Sequence, residues 1–318
     1  MLRREAGDSC IITRNNYGDW IAVVETPKDL ISTGAFLIVT DILAKIAAEL
    51  GEIRDADTYR TLREKIAAAF NERFFDKEKS SYGNGSQLSN ALPLALGIVE
   101  ADHKCAVFEH LVRDVESRGG HLSTGFVGTP FLMRVLVENG RADLAYTIAT
   151  REDYPGWGYM IKMGATTIWE LWKYEVGPGM NSHNHPALGF VSGWFYEMLA
   201  GLAPDPNEPG WKHFAVRPHV VGDLEWAKGR VDTVRGIVES SWKRSAEGLD
   251  LSVTVPANAA ATVFVPTLGK PHLEITESGQ PVWRQGKFVP RDGIKCGRES
   301  GDWVAFEVGS GKYAFRVR

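Results

Sequence analysis

The chain reads as a toroid of paired α-helices followed by an antiparallel β-sandwich, and three observations predict this. From Lys28 to Leu202 apolar residues recur at helical spacing between short Gly-rich loops. A Pro-rich linker, Ala203-Pro204-Asp205-Pro206-Asn207-Glu208-Pro209-Gly210, then breaks the pattern. Beyond it the apolar period falls to two, with turn signals between short runs. A length of 318 residues suits two domains, placed at residues 1–203 and 204–318.

Residues 1–28 read as irregular, with Asn15-Asn16-Tyr17-Gly18-Asp19-Trp20 as a turn-rich loop and Thr26-Pro27 as a helix start. Leu30, Ile31, Phe36, Leu37, Val39, Ile42, Leu43, Ile46, Ala47 and Leu50 predict a helix that Gly51 would close. A second helix is expected over residues 55–75 on Tyr59, Leu62, Ile66, Ala69 and Phe70. Shorter helices follow over 87–96, 102–118, 129–139, 141–150, 167–174 and 186–202. About eight helices joined by short loops suit a toroid of helix pairs better than a four-helix bundle. In the second half, strands are expected over 212–217, 236–243, 249–255, 261–265, 287–290, 303–308 and 312–317. The alternation in Leu249-Asp250-Leu251-Ser252-Val253-Thr254-Val255 marks a half-buried strand.

A net charge of -4, from 36 basic and 40 acidic residues, gives no basic excess to suit nucleic acid or anionic lipid. Cys10, Cys105 and Cys296 are too scattered for a disulfide framework or a Cys-x-x-Cys metal site. No apolar run approaches the roughly 20 residues that span a bilayer, and Met1-Leu2-Arg3-Arg4-Glu5 opens no signal peptide. A soluble, cofactor-free protein is expected, cytoplasmic by default, with neither nucleic acid nor membrane as partner.

The potential chemistry gathers in Gly164-Ala165-Thr166-Thr167-Ile168-Trp169-Glu170-Leu171-Trp172 and Met180-Asn181-Ser182-His183-Asn184-His185-Pro186. Sugars need fixed hydrogen-bond partners for their hydroxyls and aromatic rings for their C–H faces. Carboxylates, Asn, His, Trp and Tyr recur on loops here: Tyr17-Gly18-Asp19-Trp20, Gly119-Gly120-His121-Leu122-Ser123-Thr124-Gly125 and Asp153-Tyr154-Pro155-Gly156-Trp157-Gly158-Tyr159. Loops at one end of a helical array would form one cleft. Glu170, between Trp169 and Trp172 on a short helix, suits an acid or a base role. Structural carboxylates outnumber catalytic ones, so Glu170 alone marks no site. Asp19 is equally read as a helix cap or an Asx-turn residue. His183 and His185 lack a third ligand at a zinc spacing, so no metal is expected. A hydrogen-bonding role toward sugar suits His185 better. Gly83-Asn84-Gly85-Ser86 lacks the Lys of a phosphate cradle, and no Gly-x-Ser-x-Gly is present.

These motifs, with Phe126-Val127-Gly128-Thr129-Pro130 and Ala200-Gly201-Leu202, resemble bacterial α-L-rhamnosidases of glycoside hydrolase family 78 over about residues 15–265. The resemblance implies an (α/α)6-barrel followed by a β-sandwich, and inverting release of rhamnose from a glycoside or polysaccharide. It implies that Glu170 is the water-activating base and that His185, of the Asn184-His185 pair, contacts the sugar. Asp19 and Trp20 map near the rhamnose site, and His121, Trp157 and Trp169 belong to the same substrate-binding set. An inverting pair holds its carboxyls about 6.5–9.5 Å apart with water between.

The family's general acid lies on an Asp/Glu/Arg-rich segment upstream of the Gly-Asp-Trp loop, and the residues before Asn15 contain no match. The barrel's first helices are likewise unmatched. Only Leu171 to Met180 separate the two central motifs, a shortening expected to open the aglycone side. The leading expectation is a C-terminal portion of such an enzyme, completed by a separate chain or segment that brings the acid. A non-catalytic carbohydrate-binding remnant is the alternative, and a toroid enzyme using Glu25 or Glu175 as acid is a third.

Overall fold

The computed structural model describes residues 1–14, 17–177, 181–270 and 273–318, in two compact units, Met1–Gly189 and Phe190–Arg318. Asn15, Asn16 and Met180 of the motifs above lie outside the described residues.

The first unit is helical. It begins with α1 (Leu2–Ala6) and a 3-10 turn, Gly7–Ser9, where the sequence suggested irregular chain. Leu, Arg, Glu and Ala are good helix formers, and the Ile12 amide, bonded to Thr33 Oγ1 at 3.1 Å, ties this segment down. Then come α2 (Lys28–Glu49) and α3 (Ile53–Phe74), which pack as a pair, and a small hairpin of β1 (Phe75–Asp76) and β2 (Ser81–Tyr82). The array continues with α4 (Gln87–Ala95), α5 (Ala101–Ser117), α6 (Gly128–Glu138), α7 (Ala142–Thr150) and α8 (Trp157–Lys162). Helix α4 is the hub: it touches α2, α5 and α6, and every residue from Gln87 to Leu94 is buried. Ser86 caps it, with Oγ accepting the Ser89 amide at 3.3 Å.

Helix α2 departs from expectation in its character. With 22 residues and a mean hydropathy of 1.8 in its most apolar window, it is long and apolar enough to cross a membrane, contrary to the expectation that no apolar run approaches that length. Half of that window is buried inside the unit through Leu30, Ile31, Phe36, Leu37, Ala44 and Ala47. Its other side exposes Val39, Ile42, Leu43 and Ile46, continued by Leu50 and by Ile53 at the start of α3. The helix is apolar on both sides rather than amphipathic.

The second unit opens with a continuous helical stretch, a one-turn α9 (Val191–Trp194) running into a π-type turn, Phe195–Leu199. The strands are β3 (Leu202–Pro204), β4 (His213–Val216), β5 (Trp226–Thr233), β6 (Gly236–Arg244), β7 (Leu249–Val255), β8 (Ala260–Pro266) and β9 (Glu274–Glu277). They continue with β10 (Gln280–Arg284), β11 (Lys287–Phe288), β12 (Ile294–Ser300), β13 (Trp303–Val308) and β14 (Gly311–Val317). One sheet has the order β11-β10-β9-β14-β7-β6-β5, the other β12-β13-β8-β4-β3. Phe214, Val263 and Phe306 of the second sheet share a core with Val238, Trp242, Leu251 and Phe315 of the first. All pairings are antiparallel except β4 with β8, which run parallel. Strands β5 and β12 carried little apolar alternation because each lies at a sheet edge, with only Gly229 and Ile294 respectively buried.

A glycine closes the last hairpin-like approach of this unit. Gly248 has φ 156°, and a Cβ there would lie 1.9 Å from the Val317 carbonyl oxygen. Gly248→Ala should therefore part the chain ends of β7 and β14. Chemical denaturation read on the β-unit should show a loss of at least ~1–3 kcal/mol, and an unchanged midpoint would refute the close approach.

Candidate active site

Glu170 does not lie on a helix. Residues 167–177 are irregular, because their backbone bonds to the Asn181–His185 stretch instead of to itself. The Glu170 amide donates to the Ser182 carbonyl at 2.8 Å, the His185 amide donates to Ile168 at 2.9 Å, and Thr167 Oγ1 donates to the His183 carbonyl. β-Branched Thr166, Thr167 and Ile168 suit this extended pairing better than a helix.

The carboxylate is held at both oxygens. Ser182 N–H donates to Oε2 at 3.0 Å and Trp20 Nε1–H donates to Oε1 at 3.0 Å. The Ser182 amide first, then the Trp20 indole, hold the Glu170 carboxyl below the usual glutamate range, with His185 adding to the effect. Such a group is an ionised acceptor at neutral pH.

His185 stacks on Phe126, with ring centroids 4.8 Å apart and planes 20° apart. Its Nδ1 accepts the Ala187 amide at 3.3 Å, so in the neutral ring the proton sits on Nε2. Nε2–H is then a donor for a ligand hydroxyl. Asn184 is exposed, its amide bonded to Ser182 Oγ at 3.0 Å. Trp20 is 41% exposed and forms an edge contact with Tyr17.

Other predicted residues are engaged within the helical unit. Trp169 is buried and stacked on His183, whose Nε2 is 3.1 Å from the Glu175 carbonyl. Trp157 is buried, donates Nε1–H to the Leu188 carbonyl at 3.0 Å, and meets Trp172 edge-on. His121 has both ring nitrogens engaged: Nδ1 lies 2.6 Å from the Arg118 carbonyl and Nε2 2.9 Å from Asp153 Oδ1. That contact holds the Asp153 carboxyl below the usual aspartate range.

Asp19 is 7% exposed and caps α6 from a distance. Its Oδ2 accepts the Gly125 amide at 2.7 Å, and its Oδ1 accepts those of Val127 and Gly128 at 2.8 and 3.0 Å. Burial pushes its carboxyl above the ordinary aspartate range, against the downward pull of these amides. Among the described residues no group of three His, Cys, Asp or Glu is arranged to hold a metal.

Sequence reasoning passed over Phe126 and the Ser182 amide. Phe126 stood inside a quoted motif with nothing to mark its partner, and a backbone N–H has no sequence signature.

The comparisons with known proteins agree with the fold. Residues 1–199 match the model of the bacterial α-L-rhamnosidase six-hairpin glycosidase domain, and residues 201–280 match the bacterial α-L-rhamnosidase C-terminal domain. An α-L-rhamnosidase of Streptomyces avermitilis is 34% identical over 98% of this chain and 29% of its own length. One from Alteromonas sp. is 37% identical over 79% of this chain and 29% of its own length. The chain thus spans under a third of the curated relatives it matches. Among solved structures, the α-L-rhamnosidase from Dictyoglumus thermophilum superposes with a TM-score of 0.90 at 35% identity, covering 100% of this chain and 35% of that one. The Streptomyces avermitilis α-L-rhamnosidase complexed with L-rhamnose gives a TM-score of 0.87 at 33% identity, over 99% and 29%. By fold, by sequence and by the motifs around Glu170, the chain belongs to the bacterial α-L-rhamnosidase six-hairpin glycosidase family.

Proposed function

We propose that the chain supplies the water-activating half of an inverting α-L-rhamnosidase site, with Glu170 as general base. The observation that carries this reading is the double hold on Glu170 by Ser182 N–H and Trp20 Nε1–H, which keeps a carboxylate ionised and aimed. A water molecule gives one proton to Glu170 as its oxygen attacks the anomeric carbon. The glycosidic C–O bond breaks on the opposite face, and the leaving oxygen takes a proton from a general acid. His185 Nε2–H and the side-chain carboxamide of Asn184 bond ring hydroxyls, and the face of Trp20 receives the C–H side of rhamnose. The substrate is a rhamnose-containing glycoside or polysaccharide.

The acid comes from outside this set. Asp19 is committed to backbone amides. Glu175 is held in an ion pair with Lys173 at 2.7 Å. We place the acid on further barrel helices, brought by a separate chain or segment, that cover the apolar row Val39, Ile42, Leu43 and Ile46 of α2. An exposed apolar helix face is stabilised when it is covered.

The test is hydrolysis of an aryl α-L-rhamnoside by the assembled enzyme, followed by proton NMR. β-Rhamnose should be the first anomer released, and the acid limb of kcat/KM should lie below that of an ordinary glutamate, because the base stays ionised as pH falls. First release of α-rhamnose would contradict inversion. Rhamnose binding without turnover would support the remnant reading.

A further inference from the structure

Glu170 and His185 stand on one irregular segment, yet each is steadied by a residue from elsewhere. Trp20 steadies Glu170 and Phe126 steadies His185. The two supports meet: the Phe126 amide donates to the Trp20 carbonyl at 3.1 Å. A Cβ on Gly125 would lie 2.0 Å from that same carbonyl oxygen, and one on Gly128 would lie 2.6 Å from Asp19 Oδ2. The 125–128 turn is thus pressed onto Asp19 and Trp20, and only glycine at both positions permits it.

What binds the turn there is the Asp19 carboxylate. Its two oxygens take three amides, two of them, Val127 and Gly128, at the start of α6. An acceptor-only group facing three donors at a helix start matches the ionised form. Burial opposes that charge, so a carboxylate is kept where an apolar residue would cost less desolvation.

We propose that Asp19 is a positioning residue: through the 125–128 turn it sets Trp20 against Glu170 on one side and Phe126 against His185 on the other. The proposal rests on the roles given above to Glu170 and His185. Asp19 itself touches no sugar. The circuit closes through the backbone, because Glu170 N–H bonds to Ser182 and His185 N–H to Ile168. Movement of the turn displaces both groups together.

The test uses the full 318-residue chain and needs no substrate. Carbon-labelled glutamate and histidine report the titrations of Glu170 and His185 by NMR, with Glu170→Gln and His185→Asn giving the assignments. The Trp20 indole proton, assigned with Trp20→Phe, reports its contact to Glu170. In the wild-type chain that proton follows the Glu170 titration. Asp19→Asn keeps the shape but turns an NH2 group toward an amide donor. The expected result is a Glu170 midpoint moved up to that of an ordinary glutamate, an indole proton that no longer follows it, and a shifted His185 titration, all in a chain that still melts cooperatively. A folded Asp19→Asn chain with these signals unchanged overturns the proposal.

Should Asp19→Asn fail to fold, Gly125→Ala forces the turn off Trp20 while leaving the carboxylate, and the same changes are expected. The wild-type chain gives a third check. Acidification that protonates Asp19 should move the Gly125, Val127 and Gly128 amides together with the Trp20 and Phe126 signals, and independent movement overturns the proposal. None of these readouts depends on turnover. A failure here leaves the rhamnosidase reading standing, and a Glu170→Gln enzyme that hydrolyses at the wild-type rate leaves the positioning role of Asp19 standing.

Discussion

Replacing Glu170 with Gln should lower the turnover of an aryl α-L-rhamnoside by the assembled enzyme ~10²–10⁴-fold, the usual worth of general base catalysis. The amide matches the carboxylate in shape, and its oxygen can still accept from Trp20 Nε1–H or from Ser182 N–H. It cannot take a proton from water. KM should change little, because the groups assigned to hold the sugar, Trp20 and His185, remain. Steady-state kinetics with matched thermal melts decide the matter. A Glu170→Gln enzyme with the wild-type rate would remove Glu170 from the chemistry.

The second large effect is structural. Trp172→Ala should destabilise the helical unit by ~3–5 kcal/mol, the range for emptying a buried Trp site. Trp172 is 2% exposed, meets Trp157 edge-on with centroids 5.2 Å apart, and donates Nε1–H to the Thr124 carbonyl at 2.9 Å. Alanine would leave a cavity directly under the Glu170 segment and strand a buried carbonyl. Trp172→Phe keeps most of the volume and should lose about 1–3 kcal/mol, the cost of the orphaned acceptor. Urea unfolding followed by helical circular dichroism separates the two. Equal losses for both variants would assign the effect to the hydrogen bond rather than to packing.

Helices α2 to α7 were legible because their apolar spacing is local. Leu30, Phe36 and Leu37 or Leu132 and Leu136 announce a buried face without knowledge of what covers it. The alternating strands β7, β13 and β14 were legible for the same reason. The edge strands β5 and β12 were not, since an edge needs no apolar face, and the interior β9 and β10, of four and five residues, are too short to show alternation. Within the site, the motifs marked Glu170, His185 and Trp20, and the structure brings Trp20 to Glu170 across 150 positions of sequence. Trp157 and Trp169 carry the same residue type yet lie buried, because sequence marks an aromatic but not its depth. The expected helix over 167–174 failed through pairing with Ser182 and His185, a non-local contact that a short window cannot register. Asp19 was read as a cap or a turn residue, and its partners turned out to lie more than 100 positions away.

Helix α2 carries a consequence for how the protein is made. As it leaves the ribosome it presents a stretch that length and hydropathy alone do not distinguish from a bilayer anchor. Packing on α3 and α4 hides one side, through Phe36, Leu37 and their neighbours. With Val39, Ile42, Leu43 and Ile46 exposed, the nascent polypeptide displays the kind of surface that chaperones grip and that drives chains to aggregate. The timing of helix pairing, and not only its final energy, therefore bears on the yield of native molecules.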